Sequence, residues 1–125
     1  MNALQRIHRS LVPSGILFDL QPALANAPVI ASSGVLGRLD EREFRAFADQ
    51  VNSLLQGTIS AGLFTQEREA VFTVVHRFNE AAHLLTEVKT WTGTTVPPTL
   101  LRRVRRSVPP FEVHEGARLR RLRVL

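Results

Sequence analysis

The chain has 125 residues, a net charge of +5, 44% hydrophobic and 22% charged residues, the dimensions of one globular domain (1–125) with room for a core. No apolar run approaches the roughly 20 residues that cross a bilayer as a helix, and the N-terminal MNALQRIHRS is too polar for a secretory h-region, so no membrane partner is expected. Without cysteine there are no disulfides and no thiolate metal sites, and a cytoplasmic setting is expected.

Residues 2–10 read as a short helix with Leu4 and Ile7 inward, ended by Pro13 and Gly15. ILFDLQ (16–21) is apolar apart from Asp19, the pattern of a strand covered on both faces. PALANA (22–27) reads as a loop, and PVIAS (28–32) with VLGRL (35–39) around Ser33-Gly34 as a hairpin.

Asp40 is placed to cap a helix over about 41–61, with Glu43 at capping-box spacing and Gly62 as C-cap. Phe44, Phe47, Ala48, Val51, Leu54, Leu55, Ile59 and Leu63 supply its apolar face. TQEREAVFTVVHRF (65–78) reads as a long strand, solvated in its first half and buried in its second.

Asn79 is expected to cap a further helix with Ala82, Leu85, Val88 and Trp91 inward. Pro97-Pro98 start another helix running to about Val108, with Leu101, Val104 and Val108 inward. The final FEVHEGARLRRLRVL reads as a strand, with a bulge at Arg120-Arg121 that turns Leu119, Leu122 and Val124 to the same side.

The fold class expected is α/β, a partial Rossmann-like sheet of about three long strands plus a short hairpin, with three or four helices.

Candidate sites are few. His8, His76, His83 and His114 form no i, i+4 pair and have no dense carboxylate cluster beside them, which argues against a metal site. Glu67 and Glu69 fall on one strand face, as an acid/base pair or as charges that keep an edge solvated. Asp19 inside an apolar strand either contacts a ligand or pairs with an arginine, because a carboxylate buried alone costs several kcal/mol.

Fifteen of the sixteen basic residues are arginine, Lys89 being the exception. Eight arginines lie between Arg102 and Arg123 against Glu112 and Glu115, a surplus of +6 that makes this end the place for an electrostatic partner. Arg102, Arg103, Arg105 and Arg106 with Arg118, Arg120, Arg121 and Arg123 would form a basic patch. Only Phe111 lies among them, too little stacking surface for a nucleic-acid platform. There is no glycine-rich phosphate loop, no Walker lysine, no nucleophile elbow and no tyrosine, so the familiar routes to catalysis are missing.

LQRIHRSLVPSGILFDLQP resembles a segment late in class I S-adenosylmethionine-dependent methyltransferases, through Leu4, Arg9, Leu11, Pro13, Gly15, Leu17 and Pro22. Gln5-Arg6 stands where that family usually has an acidic residue, and Ser14 replaces a glycine. The resemblance implies a fifth strand at 16–21, a sixth at 66–77, and a seventh at 111–124 returning antiparallel to the sixth. It places Asp19, Gln21 and the following loop near the substrate; His76 is a further candidate for substrate contact.

The resemblance covers only the C-terminal half of such a domain, so no cofactor site transfers and no cofactor is expected. A central strand without its neighbour is an exposed edge. The chain is therefore expected to form a homodimer through Ile16–Leu20, or to join a separate subunit supplying the missing half. The leading reading is a dimeric, non-catalytic binding or accessory module. The alternatives are a small-ligand-binding or enzymatic α+β pocket protein and an arginine-mediated nucleic-acid module.

Overall fold

Nine elements follow one another in the computed structural model, which describes residues 2–23 and 26–125. Leu24 and Ala25 of the expected loop lie outside the described residues. The elements are α1 (Ala3–Ser10), β1 (Ile16–Pro22), β2 (Pro28–Ala31), β3 (Gly34–Arg38), α2 (Arg42–Ser60), β4 (Phe64–Phe78), α3 (Ala81–Val88), α4 (Pro98–Arg106) and β5 (Phe111–Val124). The α/β class and the inventory of three longer strands, one hairpin and four helices agree with the sequence. Among the described residues no helix is long and apolar enough to cross a membrane.

β5 is the axis of the sheet. β4 pairs with it from Phe64↔Val124 to Phe78↔Phe111. On the opposite flank β1 takes the C-terminal half, from Ile16↔Arg123 to Pro22↔Ala117, and β2 takes the N-terminal half at Val29↔Val113. β3 completes the hairpin on β2. Every pairing is antiparallel, so β1 and β4 run in the same direction on either side of β5.

Side chains alternate along β5 and divide the apolar residues between two faces. On one face Leu122 and Val124 meet Leu55 of α2 and Phe64, with Leu4, Leu11, Leu17 and Ile59 around them. On the other face Phe111 and Val113 meet Val29, Leu36, Phe78, Leu84, Leu100 and Val104, so α3 and α4 cover that end. Each end of the sheet is covered on a different side.

This staggered cover corrects several expectations. β1 is not buried on both faces: Leu17, Asp19 and Gln21 turn toward α2, whereas Ile16, Phe18 and Leu20 face solvent, Phe18 62% and Leu20 65% exposed. β4 is exposed along the whole of Gln66–Val75, including the Val-Phe-Thr-Val-Val stretch expected inside. Among the described residues no helix covers that stretch on either face, so its apolar residues stay exposed.

β5 runs without a shift against β1; the irregularity lies in β4, between Gln66 and Arg68. Leu119 therefore points away from Leu122 and Val124, and Arg120 takes the side expected for leucine.

Helix faces are rotated slightly from expectation. Leu55 and Thr58 are the buried residues of α2, while Phe47 and Leu54 are exposed. Glu41 occupies the N-cap, and Asp40 accepts from the Arg42 N–H at 3.2 Å. Glu80, not Asn79, is the N-cap of α3, and Leu84 rather than Ala82 is buried. In α4 Leu100 and Val104 are buried; Val108 lies beyond the helix and is exposed.

Candidate functional site

Asp19 and Arg120 face each other across β1 and β5. Arg120 Nε donates to Asp19 Oδ2 at 3.2 Å, and its second terminal nitrogen donates to Asn52 Oδ1 of α2 at 2.6 Å. Gln21 Nε2 donates to Asp19 Oδ1 at 2.9 Å, so both carboxylate oxygens are engaged. Of the two readings of Asp19, the arginine pair is the one present. This network ties β1, β5 and α2 together and occupies both oxygens of Asp19, while Gln21 also borders the cavity of Glu41 and Glu115.

His76 lies elsewhere. It pairs with Val113, on the face opposite Asp19 and Gln21. Its Nε2 is 3.0 Å from Glu115 Oε2, and its ring lies 5.0 Å from that of Trp91. The three candidate substrate residues are thus divided between two faces.

The structure gathers a different set where the flank of β5 changes partner, between the end of β1 and the start of β2. The Ala23 N–H donates to the Gly116 carbonyl there at 3.0 Å. Glu41 sits at this junction, held by its own N–H donating to Asn26 Oδ1 at 2.9 Å. The residue is 8% exposed, and its Oε1 has no hydrogen-bond partner among the described residues.

Burial pushes the Glu41 carboxyl above its ordinary pKa, and the charge of Glu115 pushes the same way; the Ala27 N–H and Arg45 act against them. Glu41 and Glu115 line a cavity of about 220 Å3 whose apolar wall includes Leu20, Pro22, Val74 and Ala117. Glu41 escaped the sequence reading because it looks like one more polar residue at a helix start. Its distance in sequence from Glu115 leaves no local signal.

Glu67 and Glu69 do not share a face. The β4 irregularity turns Glu67 to Arg121 and Arg123, while Glu69 lies 3.6 Å from Arg118. These are interstrand ion pairs on a solvated surface, not an acid/base couple.

The expected basic patch is dispersed as well. Arg120 is 2% exposed and committed to Asp19, and Arg103 donates to the Leu36 carbonyl at 2.8 Å. Arg102, Arg105 and Arg106 remain exposed on α4, while Arg121 is held on β5 by Glu67. His8 and His83 pack edge-on against Phe64 and Phe78, and His114 pairs with Glu112. Among the described residues there is no group of three or more metal-ligating side chains.

The largest chemical feature is the bare side of the sheet. Ile16, Phe18 and Leu20 of β1 share a face with Phe72 and Val74 of β4, and all five are exposed. Val71 and Val75 are exposed on the reverse face of β4. β4 pairs only with β5 among the described strands, so its outer edge presents unpaired backbone groups between two apolar faces. Comparison of the chain with family models, with curated proteins and with solved structures gives no match.

Proposed function

We propose that this chain is a non-catalytic binding or accessory module whose sheet is completed by a partner. The observation that carries this reading is the exposure of ten consecutive residues, Gln66–Val75, on both faces of a strand with a free edge. A long apolar edge is an association site unless it is covered. The commitment of Asp19 to Arg120 and Gln21 supports a non-catalytic role, because it removes the carboxylate nearest the expected substrate position.

The resemblance to the C-terminal half of a methyltransferase domain belongs to the same proposal. It is supported by the antiparallel course of β5 beside β4. The lack of cysteine supports a cytoplasmic setting.

Light scattering and sedimentation at micromolar concentration test the reading; association is expected, and a stable monomer overturns it. Tight S-adenosylmethionine binding by the isolated chain in calorimetry would overturn the non-catalytic assignment.

A second reading, a small-ligand pocket, is favoured by the buried Glu41 oxygen, unpartnered among the described residues, in the cavity it shares with Glu115. Two carboxylates against an apolar wall suit a small organic ammonium ion. Calorimetry with methylammonium and ethanolamine tests it: saturable binding lost in Glu41→Gln supports this reading, and no heat at millimolar amine ends it.

A further inference from the structure

We propose that the partner is a second copy of this chain, joined edge to edge through β4 in an antiparallel pair whose two-fold axis passes through the Thr73 position. This rests on the reading that a partner completes the sheet, and adds its identity and register.

Symmetry restricts the choices. Two antiparallel strands in one sheet are related by an axis normal to the sheet, so each face continues onto the same face of the partner. Residues opposite each other must then share a face, and the axis must pass through a residue position rather than between two.

Centred on Thr73, the pairing sets Val71 opposite the partner's Val75, Phe72 opposite the partner's Val74, and Thr73 opposite the partner's Thr73. At the ends Glu69 meets the partner's Arg77, and the symmetry makes this pair twice. The exposed apolar residues of both faces meet β-branched or aromatic neighbours, the pairs that stabilise sheets best.

The charges agree with this register. Arg77 is exposed and makes no ion pair among the described residues. Among the described residues Glu69 has one ion pair, the 3.6 Å contact with Arg118, and accepts from Gln66 Nε2 at 3.4 Å. Moving the axis to Phe72 sets Glu69 against the partner's Val75 and asks Arg77 to pair with Glu67, which Arg121 and Arg123 already hold. Moving it to Val74 sets Arg77 against the partner's Val71 and leaves Glu69 opposite the partner's Asn79. The Thr73 register alone joins the two charges and keeps valine on valine.

β1 also has an outer edge, where the sequence placed the dimer contact, but its run is shorter. Ile16–Pro22 spans seven residues, ends in proline, and exposes apolar side chains on one face only. The geometry favours β4.

Because the chain has no cysteine, single introduced cysteines report the register directly. In the Thr73→Cys variant the two thiols lie opposite each other across the axis, at a Cα separation of about 5 Å that a disulfide spans. In Val71→Cys they are about 13 Å apart, beyond its reach.

The expected result under mild oxidation is a covalent dimer from Thr73→Cys and little from Val71→Cys. Glu69→Arg and Arg77→Glu should each weaken dimerisation by about tenfold or more by opposing like charges at both ends, and the double exchange should restore it. Circular dichroism checks that each variant remains folded.

Equal crosslinking of the two cysteine variants, or a double exchange no tighter than the single ones, overturns the register. A wild-type dimer insensitive to all four β4 changes but broken by Phe18→Asp overturns it in favour of β1. A wild-type monomer at micromolar concentration overturns the partner-completed sheet itself.

Discussion

Arg120 and Asp19 form an ion pair at 3.2 Å between β5 and β1, and the guanidinium side chain is only 2% exposed. A buried charge of this kind is tolerated because its hydrogen-bonding groups are engaged, here by Asp19 and by Asn52 of α2. Removing the cation strands the carboxylate. Arg120→Met is expected to lower stability by about 3 kcal/mol, a buried pair losing one partner. Adding Asp19→Leu should recover part of the loss, since an apolar pair leaves no orphaned charge. Urea unfolding of the single and double variants measures both, and a double variant less stable than Arg120→Met would refute this account of the pair.

Glu41 makes the opposite prediction for charge. Its pKa is raised in the folded chain, first by burial and then by Glu115, so folding binds this proton more tightly than the unfolded chain does. The associated stability is fully present below the unfolded glutamate value of about 4.3 and is lost as pH rises through the higher folded value. Glu41→Gln removes that loss. The variant should be more stable than wild type at pH 7, with the advantage shrinking toward pH 4. Asp40 and Glu67 have lowered values and act in the reverse direction, so the quantity to compare is the difference between variant and wild type at each pH.

Ser14 tests the turn into β1. It is a non-glycine residue at φ 61°, in the left-handed region that L-residues occupy at a cost of roughly 1–2 kcal/mol. Ser14→Gly relieves that strain but loosens the unfolded chain, so a net gain of up to about 1 kcal/mol is expected. The next residue behaves differently: a Cβ on Gly15 would lie 2.8 Å from the Val12 carbonyl oxygen. Gly15→Ala should therefore lower the thermal midpoint while Ser14→Gly raises it, and scanning calorimetry separates the two.

Element positions are legible in the sequence because glycine and proline breaks and apolar periodicity are local, although the N-caps fall one residue later than Asp40 and Asn79. α2 spans Arg42–Ser60 against an expected 41–61, and β5 ends at Val124 against Leu125. Which face each element buries was not legible for β1 and β4. An apolar run such as Val71–Val75 has the same sequence whether helices cover it or another chain does. Here α1 and α2 cover one end of the sheet, α3 and α4 cover the other end on the opposite side, and β4 passes between them uncovered. The apolar run around Asp19 shows that its carboxylate needs a partner, but that partner lies 101 residues away in the chain, as distant as β1 from β5. Glu41 was missed for the same reason.

The two sides of β1 give the last prediction. Phe18 and Leu17 are sequence neighbours in one apolar run, yet Phe18 faces solvent and Leu17 packs with the cluster of Leu55, Phe64, Leu122 and Val124. Leu122, opposite Leu17 on β5, is fully buried. Large-to-small changes in a packed interior cost about 2–5 kcal/mol, whereas exposed substitutions usually stay within about 0.5 kcal/mol. Leu122→Ala is therefore expected to cost about 3 kcal/mol in urea unfolding, Leu17→Ala somewhat less, and Phe18→Ser almost nothing. A Phe18→Ser loss as large as that of Leu122→Ala would mean that the outer face of β1 is buried in the protein as it exists in solution, and would move the association surface from the β4 edge toward Ile16–Leu20.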